Sequence, residues 1–338
     1  MKERSRNLLI ANLLALIVFA GFATWAALKL DWRMVGHNLA GASFPQLMGM
    51  GVAWLAALFI RPVRLMILIR AMAPEVERRY WPVWSADLIA MAMNSLIPLR
   101  AGDMAMALVL RQGLGLRTAR GFSAMMVDRF FDLLTVVALF VSALSVAPSV
   151  APWAANLTTT LPIGLVLLAI FLWLVIRFRK PFLSVVDRLL ANVGQARGRR
   201  WSERFHDLFD GLAVVMRPGL IVPLLGLSVV LWGATAVSYW FGATSVWPTT
   251  PVAAGAFVAG AVALGFVIPS PPAAVGVFHA ITVLALSMFN VPAESALACA
   301  IICHAFQLGS VLILAAFALL TQGVSVRSLS ERSDTPQD

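Results

Sequence analysis

The chain has 338 residues, of which 60% are hydrophobic and only 12% charged, with a net charge of +10 and a mean hydropathy of +0.86. Soluble globular chains are nearer half apolar and a quarter charged, so this composition excludes an ordinary soluble domain and indicates an all-α polytopic membrane protein. The charge argues against nucleic-acid binding, because the basic residues flank lipid-length runs instead of forming one continuous face.

A spanning helix needs roughly 20 mainly apolar residues. Candidate runs lie near 8–28, 44–69, 121–148, 160–177, 219–242, 251–268, 273–289 and 294–320. The first has a basic start (Lys2, Arg4, Arg6) and an apolar stretch of about 21 residues, too long for a signal-peptide core, which points to an uncleaved first helix. Further basic blocks lie at Arg61–Arg79, Arg111–Arg120, Arg177–Arg217 and Arg327/Arg332, and the positive-inside rule assigns them to the cytoplasm. The loops near 148–159 and 243–250 carry no Lys or Arg and fit the opposite side. The expected topology is about 6–8 crossings with both termini inside, in a single membrane domain over 1–325 followed by a polar tail, 326–338.

The stretch NSLIPLRAGD (94–103) interrupts this pattern with helix breakers and charges. The flanking apolar segments 84–97 and 102–113 are each too short to cross at 1.5 Å per residue. Folding back as a re-entrant hairpin keeps Arg111, Arg117 and Arg120 inside. Pro98 removes a donor and disfavours helix at Ile97, while Gly102 permits close approach or positive φ. Irregular backbone at membrane depth survives only where protein or a watery cavity satisfies it.

Between 178 and 217 the chain turns polar. Phe182, Val185, Val186, Leu189, Leu190 and Val193, then Phe205, Leu208, Phe209 and Leu212, recur at helical spacing around Arg197, Arg199, Arg200 and Arg204. This reads as two amphipathic helices on the inner membrane surface, serving as an interfacial connector.

Shifted by 174 positions, Pro98 falls on Pro272, Gly102 on Gly276 and Arg129 on Cys303. Repeat one (about 84–148) and repeat two (about 251–320) thus share an order of apolar segment, Pro/Gly break, apolar segment and long helix. The charge-derived topology enters the two copies from opposite faces, which makes an inverted repeat with two broken hairpins, the second being either re-entrant or two short crossings. Such matched breaks are a sequence pointer to a substrate site near mid-membrane. Ser270 with Pro271 and Pro272 resembles an N-cap, and each break would leave a half-helix N-terminus suited to an anion such as a phosphate headgroup. The blander alternative is a pair of kinked helices with glycines for close packing.

Ionisable residues inside spans are costly and are candidates for function. Asp128, Arg129 and Asp132 lie in MMVDRFFDLL, with Asp128 and Asp132 on one helical face. Either they form a structural ion pair to the hairpin through Arg100 or Asp103, or Arg100 and Arg129 hold a lipid phosphate while the aspartates orient them. Asn94 is placed to bond across helices. His279 and His304 are the ionisable side chains of the second copy, as buried neutral histidines or in a proton-coupled step. Cys299 and Cys303 match no metal spacing, and no metal or cofactor is expected. No nucleophile or phosphate-loop motif is present, which weakens an enzymatic reading.

These residues resemble a family. NSLIPLRAGD…VDRFFD is similar to the N-x-x-x-P-x-R-x-G-[DE]…ER-x-x-D pattern of the lysylphosphatidylglycerol synthase transmembrane family, the flippase-like membrane proteins, and IPSPPAAVGVFHA to its Pro/Gly-rich second signature. The resemblance covers roughly 8–320 and carries Asn94, Pro98, Arg100, Gly102, Asp103, Asp128, Arg129, Asp132, Pro272 and Gly276 across as substrate-binding positions. His279 stands where the family has an acidic residue, and His304 where it has arginine. The resemblance implies a multi-pass bacterial inner-membrane protein that translocates or handles lipids, without synthase activity, since no soluble synthase domain is recognised. The alternatives are an enzyme or accessory subunit of lipid-linked (hopanoid or polyprenyl) modification with Asp103 or Asp128 as general base, and a scaffold for such enzymes. Expected partners are membrane lipids, together with a second copy of the chain or a lipid-biosynthesis enzyme.

Overall fold

The computed structural model describes residues 20–97, 101–148, 156–191, 195–266 and 272–322. Every regular element among them is helical. After helical residues 20–29, the short α1 (Trp32–Ala40) is N-capped by Asp31, whose carboxylate accepts from the Arg33 and Met34 N–H groups. Then follow α2 (Phe44–Met72), α3 (Tyr80–Leu96), α4 (Ala101–Leu114), α5 (Thr118–Leu144), α6 (Leu157–Arg177), α7 (Arg179–Ala191) and α8 (Gln195–Leu212). A 3₁₀ turn leads to α9 (Pro218–Val246), α10 (Val252–Gly265), a second 3₁₀ turn at Pro272–Ala274, α11 (Val277–Ser287) and α12 (Ala293–Gln322). Four of these, α2, α6, α9 and α12, have the length and hydropathy of a membrane span. The chain is a multi-pass membrane protein.

The break after α3 has the expected local cause. Ile97 is extended (φ −112°, ψ 127°) immediately before Pro98, as the pre-proline clash requires. Pro98 and Arg100 themselves lie outside the described residues. Beyond the break, α3 and α4 pack antiparallel: Gly102 sits against the Ala90 carbonyl, and Gly113 against Pro82. Of the two roles open to Gly102, close approach is the one it fills. A Cβ there would strike the Ala90 oxygen and come within 2.8 Å of Asn94 Oδ1.

α10 and α11 repeat the arrangement. Gly265 packs on Ile281, and Phe257 meets Phe289 with ring centroids 5.8 Å apart, so this pair is antiparallel too. Here the sequence expectation needs correction, because α11 is not capped by Ser270 with Pro272 in its first turn. Pro272 instead opens the short 3₁₀ turn, Ala273 and Ala274 take positive φ (61° and 52°), and Gly276 (φ 86°) is the N-cap residue of α11. Successive left-handed residues cannot continue a right-handed helix, so α11 starts only after them.

The 174-residue shift reaches further than the hairpins. It carries 44–72 onto 218–246, the bounds of α2 and α9. The correspondence is thus long helix, helix pair, long helix. α2 and α9 cross antiparallel: Gly49 meets Phe241, Ser238 Oγ donates to the Met50 carbonyl at 3.0 Å, and Arg217 reaches the Ala71 carbonyl at 3.0 Å. Each helix pair also leans on the long helix of the other copy. Trp84 and Leu88 of α3 pack with Val311 and Ala315 of α12, while Phe257 of α10 stacks on Phe140 of α5 at 4.6 Å.

Besides that small cluster of α3 and α12, two larger apolar cores form among the described residues, one around Leu68, Met106, Leu110 and Phe131 and one around Phe140, Phe257, Leu286 and Phe289. α6 lies at the periphery, with only 6% of its most apolar window buried. α7 and α8 form the two expected connector helices. Asp187 of α7 accepts from Ser202 and pairs with His206 of α8 at 3.1 Å, and these contacts hold its carboxyl below the usual range, Ser202 contributing most. α8 is tied to the start of α5 through Asp207, which pairs with Arg117 (2.9 Å) and Arg120 (3.3 Å).

Candidate functional site

The charged residues of the first copy converge where α2, α3, α4, α5 and α9 meet. At the centre is Arg64, fully buried, and each of its guanidinium nitrogens has a partner. Nε donates to Asp128 Oδ1, Nη1 to Ser228 Oγ and Nη2 to Asp132 Oδ1, all at 2.7 Å. Asp132 is the hub. Its Oδ1 also accepts from Trp232 Nε1 at 2.8 Å, while its Oδ2 faces Arg129 Nη1 at 3.4 Å and Arg61 Nη2 at 3.7 Å. Arg61 in turn donates from Nε to Asp87 at 3.1 Å.

From this hub the network runs into the first hairpin. Arg129 Nη2 lies 3.8 Å from Asp103, Asn94 Nδ2 donates to Asp103 at 2.9 Å, and Asn94 Oδ1 accepts the Gly102 N–H at 2.9 Å. Asn94 therefore bonds across the hairpin, and one N–H at the start of α4 is already satisfied internally. Helical spacing explains why these groups meet. Arg61 and Arg64 are three apart on α2, Asp128 and Asp132 four apart on α5, so each pair presents one face.

Among the described residues three guanidiniums face four carboxylates here, but they are not equally committed. Asp128 is buried, with its Oδ1 held by Arg64. The Arg129–Asp103 pair is looser and more open, with side chains 29% and 18% exposed. Arg129 Nε and Arg61 Nη2 are buried nitrogens with no hydrogen-bond partner among the described residues.

The second copy brings its two histidines together without comparable charge. His304 Nε2 donates to the Ala273 carbonyl at 2.8 Å, and its ring stacks on Phe278. His279 accepts the Gly276 N–H through Nδ1 at 3.3 Å, and the two imidazole centroids are 4.9 Å apart. Pro272–Ala274 contacts α3, which brings the second break to the first hairpin. Of the expected site residues, Asn94, Gly102, Asp103, Asp128, Arg129 and Asp132 form one network, and Gly276, His279 and His304 a second, with Pro272 beside it.

The sequence reading placed Arg61 and Arg64 in a cytoplasmic basic block and passed over Asp87, Ser228 and Trp232. The structure corrects that assignment: both arginines turn into the bundle and are paired there. Their signal was present, since two cations three residues apart inside a lipid-length helix call for buried carboxylates.

Comparison with curated proteins and with solved structures gave no match. A family profile, described as the lysylphosphatidylglycerol synthase TM region, matches residues 12–315. That span holds the charged centre and both helix pairs, and the chain belongs to this family.

Proposed function

We propose that the protein handles and translocates a lipid with a phosphate-bearing headgroup in a bacterial inner membrane, using the charged centre beside the first hairpin as the headgroup site. The observation that carries this reading is the loose Arg129–Asp103 pair, with Arg129 Nε and Arg61 Nη2 beside it lacking a hydrogen-bond partner among the described residues. Arg64 and its carboxylates form the fixed frame. A phosphate takes Arg129 in a charge-assisted, two-point contact, which releases Asp103 to accept from a hydroxyl or ammonium of the same headgroup.

The antiparallel crossing of α2 and α9 and the matched helix pairs support an inverted repeat with re-entrant hairpins entering from opposite faces. The substrate then sits near mid-membrane between the two breaks, with its tails in lipid.

Reconstitution with fluorescent phospholipids and a dithionite-accessibility assay tests the reading. Arg129→Ala and Arg100→Ala should each lower translocation at least about tenfold, the loss expected for one charge-assisted contact, while the protein still inserts and folds. Wild-type rates in both variants would refute the headgroup site. A covalently altered lipid product in the same vesicles would favour an enzyme.

A further inference from the structure

A second site lies away from the charged centre. α4, the turn into α5 and the amphipathic α8 enclose a cleft of about 640 Å³, within the range of small-molecule sites. One wall is apolar, built by Met104 and Leu108 of α4, Phe122 of α5 and Phe205 of α8. The lining also carries Arg111, Arg117 and Arg204. Glu203 and Asp207 also line the cleft, but both are engaged by Arg117, at 3.5 and 2.9 Å. Arg111 and Arg204 have no acidic partner among the described residues, and Arg204 is held over the Trp201 ring at 5.1 Å.

An apolar lining beside two guanidiniums without acidic partners among the described residues has the chemistry of an amphiphile with an anionic head. Its place, between a membrane helix pair and an amphipathic helix, suits a molecule anchored in lipid. We propose that this cleft binds an anionic phospholipid, with its phosphodiester at Arg111 and Arg204 and the upper acyl chain along Met104, Leu108, Phe122 and Phe205. The cleft reaches Met104, next in sequence to Asp103 of the charged centre, and this places it on the same helix as the headgroup site that it would load. The loading role rests on the translocation reading above; the binding does not.

The test uses the full-length protein in phosphatidylcholine nanodiscs doped with a photoactivatable phosphatidylglycerol, with cross-linked peptides mapped by mass spectrometry. Cross-links should fall on peptides covering 104–122 and 201–208. They should drop roughly tenfold in an Arg111→Gln/Arg204→Gln variant, as expected for lost charge-assisted contacts. An Arg111→Lys/Arg204→Lys variant should keep most of them, which separates charge from folding. Undiminished cross-links in the Gln variant would overturn the proposal, as would equal labelling by a phosphatidylcholine probe. Displacement by millimolar inorganic phosphate would also overturn it, since that marks a site for soluble anions. Cross-links at the cleft without translocation would refute the functional reading and leave the cleft standing.

Discussion

Arg64 shows how this protein keeps a full charge inside an apolar bundle. A bare guanidinium in the bilayer core costs about 2.5–3.5 kcal/mol even on the lenient insertion scale, so burial requires complete pairing. Asp128, Asp132 and Ser228 supply it. Removing the cation alone leaves Asp128 uncompensated and Asp132 only with its longer pairs to Arg129 and Arg61. Arg64→Met should therefore destabilise the protein by about 3–5 kcal/mol, measured by denaturant unfolding in detergent, and adding Asp128→Asn should recover part of the loss. A single variant as stable as the wild type would show that the frame role is wrong. Arg129 behaves differently. Its side chain is 29% exposed and its pairs are longer, so Arg129→Ala should cost no more than about 1 kcal/mol while removing activity.

Among the elements, the first hairpin depends on contact at one glycine. Gly102→Ala would push α4 away from the Ala90 carbonyl and disturb the Asn94 bond to its own N–H. A loss of about 1–3 kcal/mol follows, the usual cost of overpacking, readable as faster hydrogen exchange in α3 and α4. Gly226 of α9 is the control. A Cβ there meets nothing within 4 Å, so Gly226→Ala should be neutral or stabilising by up to about 1 kcal/mol. Much of this level was legible in the sequence. The runs 44–69, 160–177, 219–242 and 294–320 became Phe44–Met72, Leu157–Arg177, Pro218–Val246 and Ala293–Gln322, because apolar length is the dominant signal for a helix in lipid. The start of α11 was misread. Proline in a first turn is a frequent pattern, and nothing in the sequence shows that Ala273 and Ala274 take positive φ.

At the scale of the whole molecule, the two segments matched by the shift carry unequal chemistry. Under the 174-residue shift Arg61 and Arg64 become Thr235 and Ser238, and Asp128 and Asp132 become Ile302 and Phe306. This is why the repeat was faint in the sequence: two residues matched across the break while the charged positions diverged. It is also why Arg61 and Arg64 were missed. Local charge density groups them with Arg70, Arg78 and Arg79, and only the tertiary crossing of α2 with α5 and α9 separates them. The opposite entry of the two copies can be tested directly. Arg78 and Thr249 are exposed just before their respective helix pairs, and the native cysteines are buried. In intact cells an impermeant maleimide should label Thr249→Cys, and Arg78→Cys only after permeabilisation. Labelling of both from one side would remove the inverted arrangement.

The buried frame also constrains how the chain is made. Arg61 finds Asp87 only 26 residues later, but the partners of Arg64 lie 64 and 68 residues downstream. At about 5–20 residues per second, Arg64 waits roughly 3–14 s for Asp132 to be synthesised. Over that interval α2 is a span with an uncompensated cation. The final burial of α2 therefore follows the synthesis of α5, and an early helix is completed by a later one.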